Sequence, residues 1–159
     1  MNLPSGGEKW VNLADITFNE TTTTYGISKL PDDKPWSSVR KLYIEGYAVR
    51  DDNGQGGQDG VVLYNSYGAG GFYLCPSQNS PGKMGFRTML ERVDDFLVST
   101  DIMSDHSNTY NVLIYKTSYS AVRGIKLSLL ETKQIVFKGW TAAAIFGPGS
   151  TLKVYAVLD

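Results

Sequence analysis

One cysteine and one histidine are all that this chain of 159 residues offers to thiol or imidazole chemistry. With Cys75 alone, no disulfide can close within the chain, which excludes a secreted domain stapled by disulfides. Cys75 ends the apolar run Phe72-Tyr73-Leu74-Cys75, where a thiol serves as a small buried hydrophobe and not as a nucleophile. His106 stands in Ser104-Asp105-His106-Ser107-Asn108, beside an aspartate. Sequence neighbours rarely orient one another as base and orienter, and no Gly-x-Ser-x-Gly elbow is present. A surface-loop histidine is the expectation. One His and one Cys also leave too few soft ligands for a tetrahedral zinc site.

Charge is scarce as well. Charged residues make up 19% of the chain, and 15 basic and 16 acidic side chains leave a net charge of −1 with both signs interleaved. No Lys/Arg cluster is available to neutralise a run of phosphates, which argues against nucleic acid as a partner. No apolar run approaches the ~20 residues of a membrane helix, so no membrane insertion is expected. The opening Met1-Asn2-Leu3-Pro4-Ser5-Gly6-Gly7 lacks the basic and apolar regions of a signal peptide. A soluble protein made in a cytoplasm is the expectation.

Glycine (17), proline (6) and tyrosine (10) are what the chain does have. Gly and Pro recur at short intervals and leave few windows long enough for a helix. Between them the β-formers gather at 10–18, 25–30, 39–49, 60–65, 71–75, 84–89, 96–103, 109–115, 124–130, 134–137, 140–146 and 151–158. Short, regularly spaced strands of this kind predict an all-β fold, an antiparallel β-sandwich of jelly-roll type. We expect an N-terminal arm over 1–9 and a single β-sandwich domain over 10–159, long enough to bury roughly 70% of its unfolded surface. Alternation is clearest in two segments. Leu152, Val154, Ala156 and Leu158 share one face against Lys153 and Tyr155 on the other, and Leu42, Ile44, Gly46 and Ala48 alternate with Lys41, Tyr43, Glu45 and Tyr47. One stretch competes for helix. Met89, Val93 and Phe96 are spaced by four and three, which allows one short helical turn within 87–97.

The loops carry the remaining candidates. Residues 51–60 and 67–71 read as glycine-rich connectors. Asp51, Asp52, Asn53 and Asp59 supply oxygens of the kind calcium takes, but no glutamate closes the loop, and a solvated connector is expected. Asp94-Asp95 placed on a strand would point to opposite faces, which does not make a glycosidase pair. No catalytic residue, metal or cofactor is expected. The aromatics offer more. Tyr64, Tyr67, Phe72 and Tyr73 flank the second connector, and Tyr110, Tyr115 and Tyr119 flank later ones. Rings beside Asn, Ser and Asp suit a sugar or a protein partner. Tyr64, Tyr67, Tyr73, Tyr110 and Tyr119 are therefore the candidate contacts for a glycan or partner, with burial in the core or in a subunit interface as the competing assignment.

Two stretches carry a resemblance. The first is Trp10-Val11-Asn12-Leu13-Ala14-Asp15-Ile16-Thr17-Phe18, followed by Pro35-Trp36-Ser37-Ser38-Val39-Arg40-Lys41-Leu42-Tyr43-Ile44. It resembles the opening of β-sandwich domains in phage fibre, tail and head-fibre proteins. The second is Phe146-Gly147-Pro148-Gly149-Ser150-Thr151-Leu152-Lys153-Val154-Tyr155-Ala156-Val157, which is similar to their closing strand, except that Ala156 stands where those domains often have Gly. The resemblance covers about a quarter of the chain. It implies a structural protein of the virion, a fibre, tail-tip or head-decorating component made in the bacterial host. Implied partners are other virion proteins, copies of itself in a homotrimer, and a host-surface glycan. The rival expectations are a free carbohydrate-binding module and a small glycan hydrolase.

Overall fold

The computed structural model describes residues 7–49, 61–65, 69–74, 83–107, 114–116, 126–139 and 146–159. They form β1 (Trp10–Thr17), β2 (Thr24–Ile27), β3 (Val39–Val49), β4 (Val61–Asn65), β5 (Ala69–Tyr73) and β6 (Lys83–Val93). These are followed by β7 (Phe96–Ser107), β8 (Ile114–Lys116), β9 (Lys126–Ser128), β10 (Ile135–Gly139) and β11 (Thr151–Leu158). The strands lie in two antiparallel sheets. The large one has seven strands in the order β1-β11-β3-β6-β7-β8, with β9 also on β7, and the small one has the order β2-β10-β4-β5.

This is the expected sandwich, and its pairing is that of a jelly roll. The chain folds as one long hairpin rolled up, so β1 pairs with β11, β2 with β10, β3 with β6 and β4 with β5. Strands β7 to β9 are an addition to that roll. Strand β7 continues the large sheet from β6, and its outer edge takes β9 at Phe96–Val98 and β8 at Met103–Asp105.

The inner faces meet in one apolar core. Leu42, Ile44, Ala48, Leu90, Leu152, Val154 and Ala156 of the large sheet close on Ile27, Val61, Leu63, Ile135 and Phe137 of the small one. At one end Phe18 stacks on Phe146 with centroids 4.7 Å apart and makes a T-shaped contact with Tyr25 at 5.8 Å. Gly46 has a packing role, since a Cβ there would collide with the Phe86 ring on the opposing strand. The closing strand starts from a tight turn in which the Ser150 N–H donates to the Gly147 carbonyl at 3.0 Å. Pro148 sets its first corner, and Gly149 at φ +87° takes the left-handed second corner. The buried Ser150 Oγ accepts from the Val49 N–H at 2.8 Å and so pins the end of β3 to the start of β11.

Several expectations are corrected. Residues 87–97 hold no helical turn, because β6 runs to Val93 and turns at Asp94-Asp95 into β7. Val93, the middle of the supposed apolar stripe, is 56% exposed. Asp94 and Asp95 are thus turn residues, not strand residues, and Asp94 adopts the left-handed φ of +52° that Asp tolerates. His106 is not in a loop but in β7, opposite Met84. Ala69, Gly70 and Gly71 belong to β5, not to a connector. Cys75, the loop 51–60 and residues 140–145 lie outside the described residues.

Candidate functional site: the outer faces of the sandwich

Alternation along β11, β3 and β6, and along β1 on either side of an irregularity between Asn12 and Ala14, gives the large sheet an ordered outer face. Because Leu152, Val154, Ile44, Phe86 and Thr88 are buried inward, Lys153, Glu45 and Arg87 point away from the core, and so does the exposed Asp15. The register sets these four side by side. Asp15 pairs with Lys153, Lys153 with Glu45, and Glu45 with Arg87, a row of alternating sign across four neighbouring strands. Asn12, Tyr155, Tyr43 and Met89 form the row on one side, and Thr17, Thr151, Tyr47 and Gly85 the row on the other.

Tyr43 shows how closely this face is packed. It points outward yet is only 6% exposed, and its hydroxyl donates to the Glu45 Oε2 at 2.6 Å. Burial first, and then the Glu45 carboxylate, push its phenol up to about 12, with Arg87 opposing. Tyr43 is therefore a neutral donor that holds Glu45 in place.

The small sheet's outer face is different. Gly26, Val136, Tyr64 and Gly71 form one row, and Tyr64 and Val136 are both buried. The Lys138 ammonium lies over the Tyr64 ring at 4.5 Å from its centroid, so that ring face is taken by a cation. Burial also pushes the Tyr64 phenol up. Of the other candidates, Tyr73 has its backbone in β5 opposite Val62, with its side chain outside the described residues. Tyr67, Tyr110 and Tyr119 lie outside the described residues altogether.

A third polar group closes one end of the large sheet. Arg92 grips the Asp159 carboxylate with both guanidinium nitrogens, at 2.6 and 3.0 Å, and donates to the Ser37 carbonyl at 2.9 Å. Lys34 donates to the Asp159 carbonyl oxygen, and Arg40 stands 3.8 Å from its carboxylate. Glu8 meets Lys41 at 3.0 Å and Arg40 at 3.6 Å, which ties residue 8 to β3. The Arg92 hydrogen bonds hold the Asp159 carboxyl below its ordinary range. These contacts are fastenings between elements. Among the described residues no group of three or more His, Cys, Asp or Glu side chains is placed to hold a metal ion.

The charge row escaped the sequence reading. Alternation shows which residues of β3 and β11 face outward, but only the pairing order reveals that Asp15, Lys153, Glu45 and Arg87 are neighbours. No sequence model of a known protein family matches the chain, and no curated protein matches it.

Proposed function

We propose that this chain is a non-catalytic jelly-roll domain of a bacteriophage particle, a fibre, tail-tip or head-decorating component that works by protein–protein assembly. The observation that carries the reading is where the phage-like stretches fall in the fold. The opening stretch supplies β1 and the start of β3, and the closing stretch supplies β11, which lies between them. Three segments scattered along the chain thus become one continuous slab of the large sheet. Two rolled sheets around an apolar core are an architecture used by viral capsid and lectin domains alike. The outer face of that slab offers tyrosines among charges of both signs, and Tyr and Arg are enriched at protein interfaces. In this reading the partners are other virion proteins and further copies of the chain, and attachment to a host surface is a second task of the same particle.

A free carbohydrate-binding module is the second reading, since lectins share the topology. The covered Tyr64 ring favours assembly over it, because a sugar platform needs an open aromatic face. Immunogold labelling of phage particles with an antibody against the purified chain tests the first reading, and a glycan array tests the second. Labelled intact particles support the virion assignment. Unlabelled particles together with a specific glycan hit would replace it with the sugar-binding reading.

A further inference from the structure

The geometry points to a second copy of this chain as the occupant of the large sheet's outer face, packed sheet on sheet about a two-fold axis. The inference rests on the reading of the domain as an assembling one, but not on the kind of particle it serves. It follows from the order of the charges. Asp15, Lys153, Glu45 and Arg87 occupy β1, β11, β3 and β6, four strands side by side, and read minus, plus, minus, plus. Within one sheet each charge stabilises the neighbour opposite it.

The same order makes the row complementary to itself when reversed. A two-fold axis lying in the face, parallel to the strands and midway between β11 and β3, sends Asp15 onto Arg87 of the other copy and Lys153 onto Glu45. All four positions then meet opposite charge. The flanking rows also match, with Tyr155 against Tyr43, Asn12 against Met89, and Thr151 against Tyr47. A palindromic sign order, such as minus, plus, plus, minus, would meet itself like against like under this axis.

Aligned sheets pack face to face with their strands within about 30° of one another, which is the arrangement this axis produces. A two-fold contact uses one patch on both copies, whereas a threefold ring joins two different patches. The self-complementary row therefore favours pairs over the trimer implied by the phage resemblance. Glu45 is pre-set for the contact, since the Tyr43 hydroxyl holds its carboxylate at 2.6 Å.

Charge reversal tests the pairing. Lys153→Glu would set a new carboxylate against Glu45 of the other copy, and Glu45→Lys would set a new ammonium against Lys153. The two-fold repeats each reversed contact twice, so each variant is expected to weaken self-association by roughly tenfold or more. Mixed in equal amounts, the two variants should recover a two-chain species containing one of each. In that species the two introduced side chains meet as opposite charges, and the native Glu45 of one copy meets the native Lys153 of the other. Native mass spectrometry and sedimentation read this directly, with circular dichroism and thermal melting to check that each variant is folded. Lys153→Gln and Glu45→Gln, which place no like charges together within the sheet, should give a smaller loss and a weaker salt dependence of pairing.

The inference is overturned if the wild type sediments as a single chain at every concentration. It is equally overturned if the reversals leave its association unchanged, or if the mixture stays single-chained. A single-chain wild type that still labels phage particles would leave the assembly reading standing and remove only this face as a self-contact.

Discussion

On the small sheet, Tyr64 and Val136 lie on the side away from the core and are buried all the same, with a lysine ammonium over the ring. On the large sheet, the corresponding side carries four charges of alternating sign with tyrosines to either side, and Tyr47 is 38% exposed. The inner faces of the two sheets are alike, because both must exclude water from one core. The outer faces have no such common requirement. The large sheet's outer face combines tyrosines with charges in alternating order, whereas the small sheet's outer face buries a tyrosine ring beneath a lysine.

The largest difference between the inner and outer faces is expected between neighbours on one strand. Val154 is fully buried in the core, and Val154→Asp should abolish soluble expression, because it places an unpaired charge among apolar side chains. Lys153→Glu, one residue away on the outer face, should still fold and express in soluble form, with only the small cost of a like charge beside Asp15 and Glu45. Equal behaviour in the two variants would mean that β11 is not half buried. Next in size is Gly46→Ala, whose methyl would drive into the Phe86 ring and should lower unfolding stability by about 1–3 kcal/mol. Adding Phe86→Leu should recover part of that loss, and chemical denaturation of the single and double variants measures both.

Smaller effects separate the polar contacts by pH. The Tyr43 phenol titrates near 12 when folded, above the ordinary value of about 10. A raised pKa means that the folded state favours the neutral form. The contribution is complete below pH ~10 and is lost as pH climbs towards 12. Tyr43→Phe should flatten the alkaline limb of the stability profile, and an unchanged limb would remove Tyr43 from the account of this face. Asp159 works in the opposite direction. Its carboxyl is held low by Arg92, so its contribution is present above the unfolded carboxylate pKa and is lost as pH falls through the folded one. Asp159→Asn should remove that acid-side dependence and leave neutral-pH folding intact.

Strands β3 and β11 were legible in their bounds, because Leu42, Ile44 and Ala48, and Leu152, Val154 and Ala156, fall on alternate positions between turn signals. Tyr43 and Val157 are buried out of step with that pattern. The sandwich class followed from the spacing of glycines and prolines. The path from Arg87 to Val93 was harder to read, since Met89, Val93 and Phe96 fall at helical spacing by chance while the segment is held by β3 and β7 on either side. Pairing order was not legible at all. It joins β1 to β11 across almost the whole chain, and no local pattern encodes such a contact. Proximity to loops singles out Tyr64, Tyr67, Tyr73, Tyr110 and Tyr119, whereas Tyr43, Tyr47 and Tyr155 become a group only once the strands are laid side by side.

Lysine footprinting of the wild-type protein across a dilution series reports which sheet face is covered on self-association, because each outer face carries a lysine. Lys153 stands in the charge row of the large sheet, and Lys138 lies over Tyr64 on the small one. With the two copies packed through the large sheet, Lys153 is shielded from acetylation at high concentration and becomes reactive on dilution, while the reactivity of Lys138 does not change. Shielding of Lys138 alone, with Lys153 equally reactive at every concentration, would contradict that packing.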